Sequence, residues 1–196
     1  MYVRKDSYFK KAKAEGYRSR AAYKLAELNR TYHLFGRGFK VLDIGCAPGG
    51  FLQVAADAVG PKGLVVGIDL EETASLGLEY VKIVTGDACE KKNMDEILAM
   101  LGGRSDCLIS DMAPDTSGVG FADAYRSAAL VSTVLDIAGT HLKKGGSLVV
   151  KLFFGGEFES IRGRAKKMFG KVIVAKPDAS RKTSREIYLV CLGFNN

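Results

Sequence analysis

A chain of 196 residues, 47% hydrophobic and carrying a net charge of +7, is long enough for one well-buried domain and short for two. No apolar run approaches the roughly 20 residues needed to cross a bilayer. The start, Met1-Tyr2-Val3-Arg4-Lys5-Asp6, has no apolar stretch of a secretory signal, so a soluble cytoplasmic protein, monomeric by default, is expected. Cys46, Cys89, Cys107 and Cys191 lack C-x-x-C spacing, which favours buried free thiols over zinc or disulfides. No spacing of His, Cys and carboxylates suggests a metal site.

Residues 18–30 have the periodicity of an amphipathic helix, with Ala22, Leu25, Ala26 and Leu28 on one side. Alternating units follow. Phe39–Ile44 reads as a strand, then a Gly/Pro turn and a helix from about Gly50 to Ala58. Leu64–Asp69 and Tyr80–Thr85 are further strands, and Asn93–Leu101 is a helix stopped by Gly102-Gly103. Cys107–Asp111 is a strand, Ala122–Leu142 a long helix ending before Gly145-Gly146, and Ser147–Leu152 a strand. Glu157–Phe169 is a helix, with strands at Lys171–Ala175 and Glu186–Leu192. Such alternation predicts an α/β domain over residues 1–196, with a seven-stranded, mostly parallel sheet and helices on both faces. The last two strands have no helix-sized connection between them, so the last should run antiparallel.

Charge is laid out unevenly. Residues 1–40 hold 11 basic and three acidic side chains, 41–161 hold nine basic and 17 acidic, and 162–185 hold nine basic and one acidic. Two basic ends therefore flank an acidic middle. Brought to one side by the fold, they would make a cationic face for a polyphosphate chain. On this reading the basic segment and helix of residues 1–38 contribute to nucleic-acid binding.

Asp43-Ile44-Gly45-Cys46-Ala47-Pro48-Gly49-Gly50-Phe51 joins the first strand to its helix. Its glycines admit positive φ and close approach of a ligand, and the helix start offers free N–H groups. Pro48 lacks an N–H, and Asp43 sets a negative charge where a pyrophosphate would sit. A cationic amino group suits that place better. Asp69, at the end of the second strand, is placed to accept ribose hydroxyls, and Asp87, in Thr85-Gly86-Asp87, to accept an adenine amine. Turn, ribose and base in that order spell S-adenosylmethionine.

Four charges in apolar settings complete the pattern. Asp111 ends Cys107-Leu108-Ile109-Ser110-Asp111, Lys151 ends Ser147-Leu148-Val149-Val150-Lys151, Glu186 opens Glu186-Ile187-Tyr188-Leu189-Val190, and Lys24 lies in Ala21-Ala22-Tyr23-Lys24-Leu25. Desolvating each alone is costly, so a shared site at the strand ends is expected.

These segments resemble the FtsJ-like ribosomal RNA 2′-O-ribose methyltransferases. The resemblance runs through Arg18-Ser19-Arg20-Ala21-Ala22-Tyr23-Lys24-Leu25, the glycine turn up to Phe51, Ser110-Asp111-Met112-Ala113-Pro114, Val150-Lys151-Leu152-Phe153 and the stretch 177–190. It implies a Rossmann-like domain dependent on S-adenosylmethionine and a catalytic tetrad of Lys24, Asp111, Lys151 and Glu186. Cofactor contacts would come from Asp43, Gly45, Pro48, Gly49, Gly50, Phe51, Asp69, Asp87 and Asp111. The implied substrate is a uridine ribose in large-subunit ribosomal RNA, presented on the assembled subunit. Transfer RNA as acceptor, or a non-catalytic RNA-binding module, are the alternatives. Asp115 and Phe51 depart from the family's usual Asn and Trp. Lys151 fits either of two roles, a base whose pKa is tuned down or a charged group positioning the acceptor oxygen.

Overall fold

The computed structural model describes residues 7–115, 117–181 and 183–195. In chain order the elements are α1 Ser7–Ala14, α2 Ala21–Tyr32, β1 Lys40–Ile44, α3 Gly50–Val59, β2 Leu64–Asp69, β3 Val81–Thr85, α4 Lys91–Leu101, β4 Ser105–Ser110, α5 Gly120–His141, β5 Leu142–Phe153, α6 Phe158–Met168, β6 Phe169–Ala175 and β7 Glu186–Phe194. The sheet order is β3-β2-β1-β4-β5-β7-β6. β7 pairs antiparallel with both β5 and β6, and the remaining pairings are parallel, as the missing crossover helix foretold. Because β2 and β4 leave β1 on opposite sides, strand order reverses between β1 and β4, the place where open α/β sheets bind ligands.

Strand alternation divides the apolar side chains between two layers. Val41, Cys107, Ile109, Val149, Tyr188 and Val190 pack with Leu25, Leu28 and Leu52 of α2 and α3. Leu42, Leu108, Leu148, Val150 and Leu189 pack with Ile97, Val131, Leu135 and Ile161 of α4, α5 and α6. Asp43, Lys151 and Glu186 continue the first series at period two, and so does Asp111, one residue past β4. The charged side chains thus lie toward the α2 layer.

Beyond shifts of a few residues at element ends, the structure differs from the sequence reading in its first helices, at Gly145-Gly146 and at one thiol. A first helix, α1, precedes the expected one, which starts at Ala21 rather than Arg18. Arg18 is held outside the helix: its N–H donates to the Gln53 side chain at 2.8 Å. Gly145-Gly146, taken as a break, lies inside β5. Gly145 has φ 79°, and the β4–β5 register shifts between Ser105 and Cys107, so the glycines form an irregularity in a longer strand. Cys46, Cys107 and Cys191 are buried free thiols, whereas Cys89 is exposed in the turn before α4.

Candidate active site

Two ion pairs stand at the carboxyl edge of the sheet. Lys24 Nζ of α2 lies 2.6 Å from Glu186 Oε1 at the start of β7. Lys151 Nζ, near the end of β5, lies 3.0 Å from Asp111 Oδ1 and also donates to the Asp111 carbonyl. Tyr188 joins the pairs. Its hydroxyl donates to Asp111 Oδ1, its ring lies 5.8 Å from Lys24 Nζ, and it faces Lys151 across the β5–β7 register. The four expected residues therefore meet. Tyr188 is the member the sequence reading missed, although its place two residues after Glu186 sets it on the same strand face.

The electrostatics tie the pairs together. Burial alone would raise the Glu186 carboxyl. The Lys24 charge and hydrogen bond, the Ser180 hydroxyl at 2.8 Å and the Lys151 charge outweigh it and hold the group below its ordinary value. Burial, together with Asp111 and Glu186, raises the Tyr188 phenol well above its ordinary value, while Arg20 opposes. Tyr188 is therefore a neutral donor to Asp111.

Two clefts open beside these pairs. The larger, about 480 Å³, is lined by Gly45, Asp69, Asp87 and Asp111 together with apolar Ile44, Ile68, Met112 and Leu130. The smaller, about 210 Å³, is lined by Arg20, Lys24, Pro48, Gly50, Phe51 and Asp111. Gly45, Ala47 and Asp111 belong to both, so the clefts meet at the ends of β1 and β4. Gly45 and Gly49 have φ of 77° and 107°, which favours glycine there. Gly49 lines neither cleft: the Arg18 guanidinium stands 2.8 Å from where its Cβ would be. Phe51 is buried, 6.5 Å from the Tyr188 ring.

Asp69 and Asp87 also serve their own loops. Asp69 accepts from the Ala47 and Glu71 N–H groups at 2.8 and 2.9 Å, and Asp87 from the Cys89 N–H at 2.8 Å. Asp43 differs: it is 0% exposed and neither carboxylate oxygen has a hydrogen-bond partner. Burial first, then the charges of Asp111 and Asp69, push its carboxyl well above the ordinary range. Among the described residues no group of three or more His, Cys, Asp or Glu is arranged to hold a metal ion, and no helix is long and apolar enough to cross a membrane.

The basic blocks reach this edge unequally. The Asp178 N–H donates to the Glu27 carboxylate at 2.9 Å, which fastens the segment after β6 to α2. Arg20, Lys176, Arg181 and Arg185 therefore share the carboxyl edge with the site. Lys166, Lys167 and Lys171 lie at the opposite end, where α6 turns into β6. The expected cationic face takes in only part of the C-terminal block.

A glycine turn and acidic strand ends at the switch point of a sheet ordered β3-β2-β1-β4-β5-β7-β6 define a Rossmann-like methyltransferase. The sequence profile of the FtsJ-like methyltransferases matches residues 17–194, and the chain belongs to that family. It is 44% identical over 191 residues, 97% of this chain and 90% of the relative, to a protein of Methanothermobacter thermautotrophicus named ribosomal RNA large subunit methyltransferase E. A protein of the same name from Cenarchaeum symbiosum is 45% identical, covering 98% and 96%. A crystal structure of a Plasmodium falciparum protein assigned as a ribosomal RNA methyltransferase superposes with a TM-score of 0.80 at 29% identity, covering 91% of this chain and 98% of that one. Fibrillarin in complex with Nop5p shares the fold at 18% identity and a TM-score of 0.62, covering 87% and 81%.

Proposed function

We propose that this methyltransferase transfers the methyl group of S-adenosylmethionine to a ribose 2′-hydroxyl of large-subunit ribosomal RNA, with Lys24, Asp111, Lys151 and Glu186 as its catalytic residues. The observation that carries the reading is the convergence of the Lys24–Glu186 and Lys151–Asp111 pairs, with Lys24 on the smaller cleft and Asp111 where the two clefts meet. The names of the relatives support the RNA, and the basic residues of segment 1–38 and of 176–185 support a polyphosphate partner.

The residues present fit the cofactor. Asp43 is a buried carboxylate without a partner, with Asp69 and Asp111 close enough to perturb it. A cationic amino group nearby would relieve that repulsion. Asp69 and Asp87 offer acceptors along the larger cleft, and Ile44, Ile68, Met112 and Leu130 an apolar wall for an adenine. Gly45, Pro48, Gly50 and Phe51 shape the junction with the smaller cleft. S-adenosylmethionine held there would supply an electrophilic methyl carbon.

The chain's own residues supply position and charge. Lys151 donates to the Asp111 carbonyl and is ion-paired with the Asp111 carboxylate, and an ammonium carries three hydrogens, so one remains for an acceptor hydroxyl. Asp111 is itself oriented by Tyr188. Much of the rate enhancement comes from holding the acceptor oxygen in line at contact distance, with Lys24 and Lys151 stabilising the negative charge that develops on it. A methyl-transfer rate that climbs with pH assigns Lys151 the base role, and a flat pH–rate profile assigns it the charged, positioning role.

Labelled-methyl transfer to ribosomal RNA, followed by mapping of 2′-O-methyl positions, tests the reading. Lys151→Ala should abolish transfer while calorimetry shows S-adenosylmethionine affinity largely retained. Near-wild-type transfer by that variant overturns the assignment, and methyl found on a base overturns the acceptor.

A further inference from the structure

Apart from the clefts, the carboxyl edge carries an aromatic patch that the proposed chemistry leaves unused. Phe121 is 80% exposed, Tyr125 64% and Phe154 54%, among the most exposed large hydrophobic side chains of the described residues. Their backbones are locked together. The Phe153 N–H donates to the Ser127 hydroxyl at 3.0 Å, and the Gly155 backbone packs so closely on Ala124 that a Cβ would stand 2.5 Å from its methyl. The Phe154 N–H donates to the Arg185 carbonyl at 2.9 Å, while the Arg185 guanidinium lies against Gly120, next to Phe121. Arg185 therefore sits between the rings of α5 and the ring that follows β5. Asp123 is the acidic side chain lining the adjoining depression, and it is buried beneath Ser117 and Arg126, with its carboxyl held below the ordinary range by those partners.

We propose that Phe121, Tyr125 and Phe154 are a stacking platform for unpaired bases next to the methylated ribose, with Arg185 contacting the phosphate between them. The inference rests on the ribose-methyltransferase reading and adds a subsite to it. Isolated exposed rings need no explanation, but three held at one edge and flanked by a cation combine the features of single-strand RNA surfaces. Position selects RNA over a protein partner. Phe154 follows Lys151 by three residues, about 10 Å of extended strand, so the patch lies within reach of the nucleotides flanking a ribose held at Lys151. Among the described residues, no exposed acidic side chain lines that depression or the neighbouring one formed by Phe121, Tyr125 and Arg126, so nothing there repels a phosphate.

The test measures anisotropy of a short labelled single-stranded oligouridine and of an RNA duplex of equal length. Phe121→Ala/Tyr125→Ala should weaken single-strand binding about tenfold or more, with Tyr125→Phe alone near wild type and duplex binding little changed. The ring variant should keep the wild-type salt slope, whereas Arg185→Gln should reduce it by about 0.7. Unchanged single-strand affinity in the ring variant overturns the platform, and so does an equal loss on the duplex. Sedimentation showing a wild-type dimer that the ring variant dissolves would assign the patch to a second copy and also overturn it. The binding comparison needs no methyl transfer, so it stands apart from the test of the reaction itself.

Discussion

Asp43 concentrates the energetics of the site in one side chain. A carboxyl raised by burial and by Asp111 and Asp69 keeps its proton in the native state after the unfolded chain has released it. The unfolded state then binds fewer protons, so stability falls as pH rises from about 3.9, the unfolded value, through the elevated native one. Asp43→Asn removes this dependence. Its melting temperature should exceed that of the wild type near neutrality, with the gap closing as pH falls toward 4, while affinity for S-adenosylmethionine drops. Melting curves that run parallel across that range would contradict the assignment. Glu186 has the opposite sign. Its lowered carboxyl contributes stability that is present above the unfolded value and lost as pH falls through the lower native one. Glu186→Ala would also leave Lys24 buried and unpaired, at about 3–5 kcal/mol. Glu186→Gln keeps an acceptor for Lys24, so chemical denaturation should find it distinctly more stable than the alanine variant, though equally poor in methyl transfer.

Arg18 shows how one residue ties two segments together beside the smaller cleft. Its guanidinium donates to the Ala74 and Ser75 carbonyls at 2.5 and 2.7 Å and to the Pro48 carbonyl at 3.4 Å. It thereby clamps the segment after β2 onto the glycine turn before α3. Lysine keeps the charge but not the fork. Arg18→Lys should speed amide exchange over residues 73–77 and raise KM for S-adenosylmethionine more than it lowers kcat. Unchanged exchange would remove the clamp. This contact was not legible in the sequence, because it joins residues more than 50 positions apart through backbone carbonyls, which leave no compositional trace. The strands and the antiparallel β7 were legible, because period-two apolar runs and a connection without a helix leave few other arrangements. The meeting of Asp111, Lys151 and Glu186 was legible because charges at the ends of apolar strands need partners, whereas Lys24 lies on α2 and the tetrad as a set came from the family resemblance. The role of Tyr188 was hidden, since a tyrosine within Ile187-Tyr188-Leu189-Val190 reads as core until the register places it opposite Lys151. Gly145-Gly146 misled because a strand irregularity and an interelement turn demand the same residue.

Across the whole molecule, where the charge sits matters more than the total. A net +7 spread evenly would attract RNA weakly and without orientation, yet residues 41–161 are acidic on balance. The cations that share an edge with the tetrad come from α1, the start of α2 and the segment after β6, joined through Glu27 and Asp178. α1 is fastened to this edge by its own aromatic contact, Tyr8 on Tyr23 at 5.7 Å, which places the exposed Lys10 and Lys13 nearby. Phosphates gripped by these side chains release counterions, so the logarithm of single-strand affinity should fall linearly with the logarithm of salt, by about 0.7 per phosphate contact. Lys10→Gln/Lys13→Gln removes two such charges and should flatten the slope by about 1.4. Lys166→Gln/Lys167→Gln removes the same charge at the opposite end of the sheet, where α6 turns into β6. If both double variants flatten the slope equally, RNA responds to net charge and the edge confers no orientation. If only the first does, the strand is drawn in along the side of the sheet where Lys24, Asp111, Lys151 and Glu186 stand.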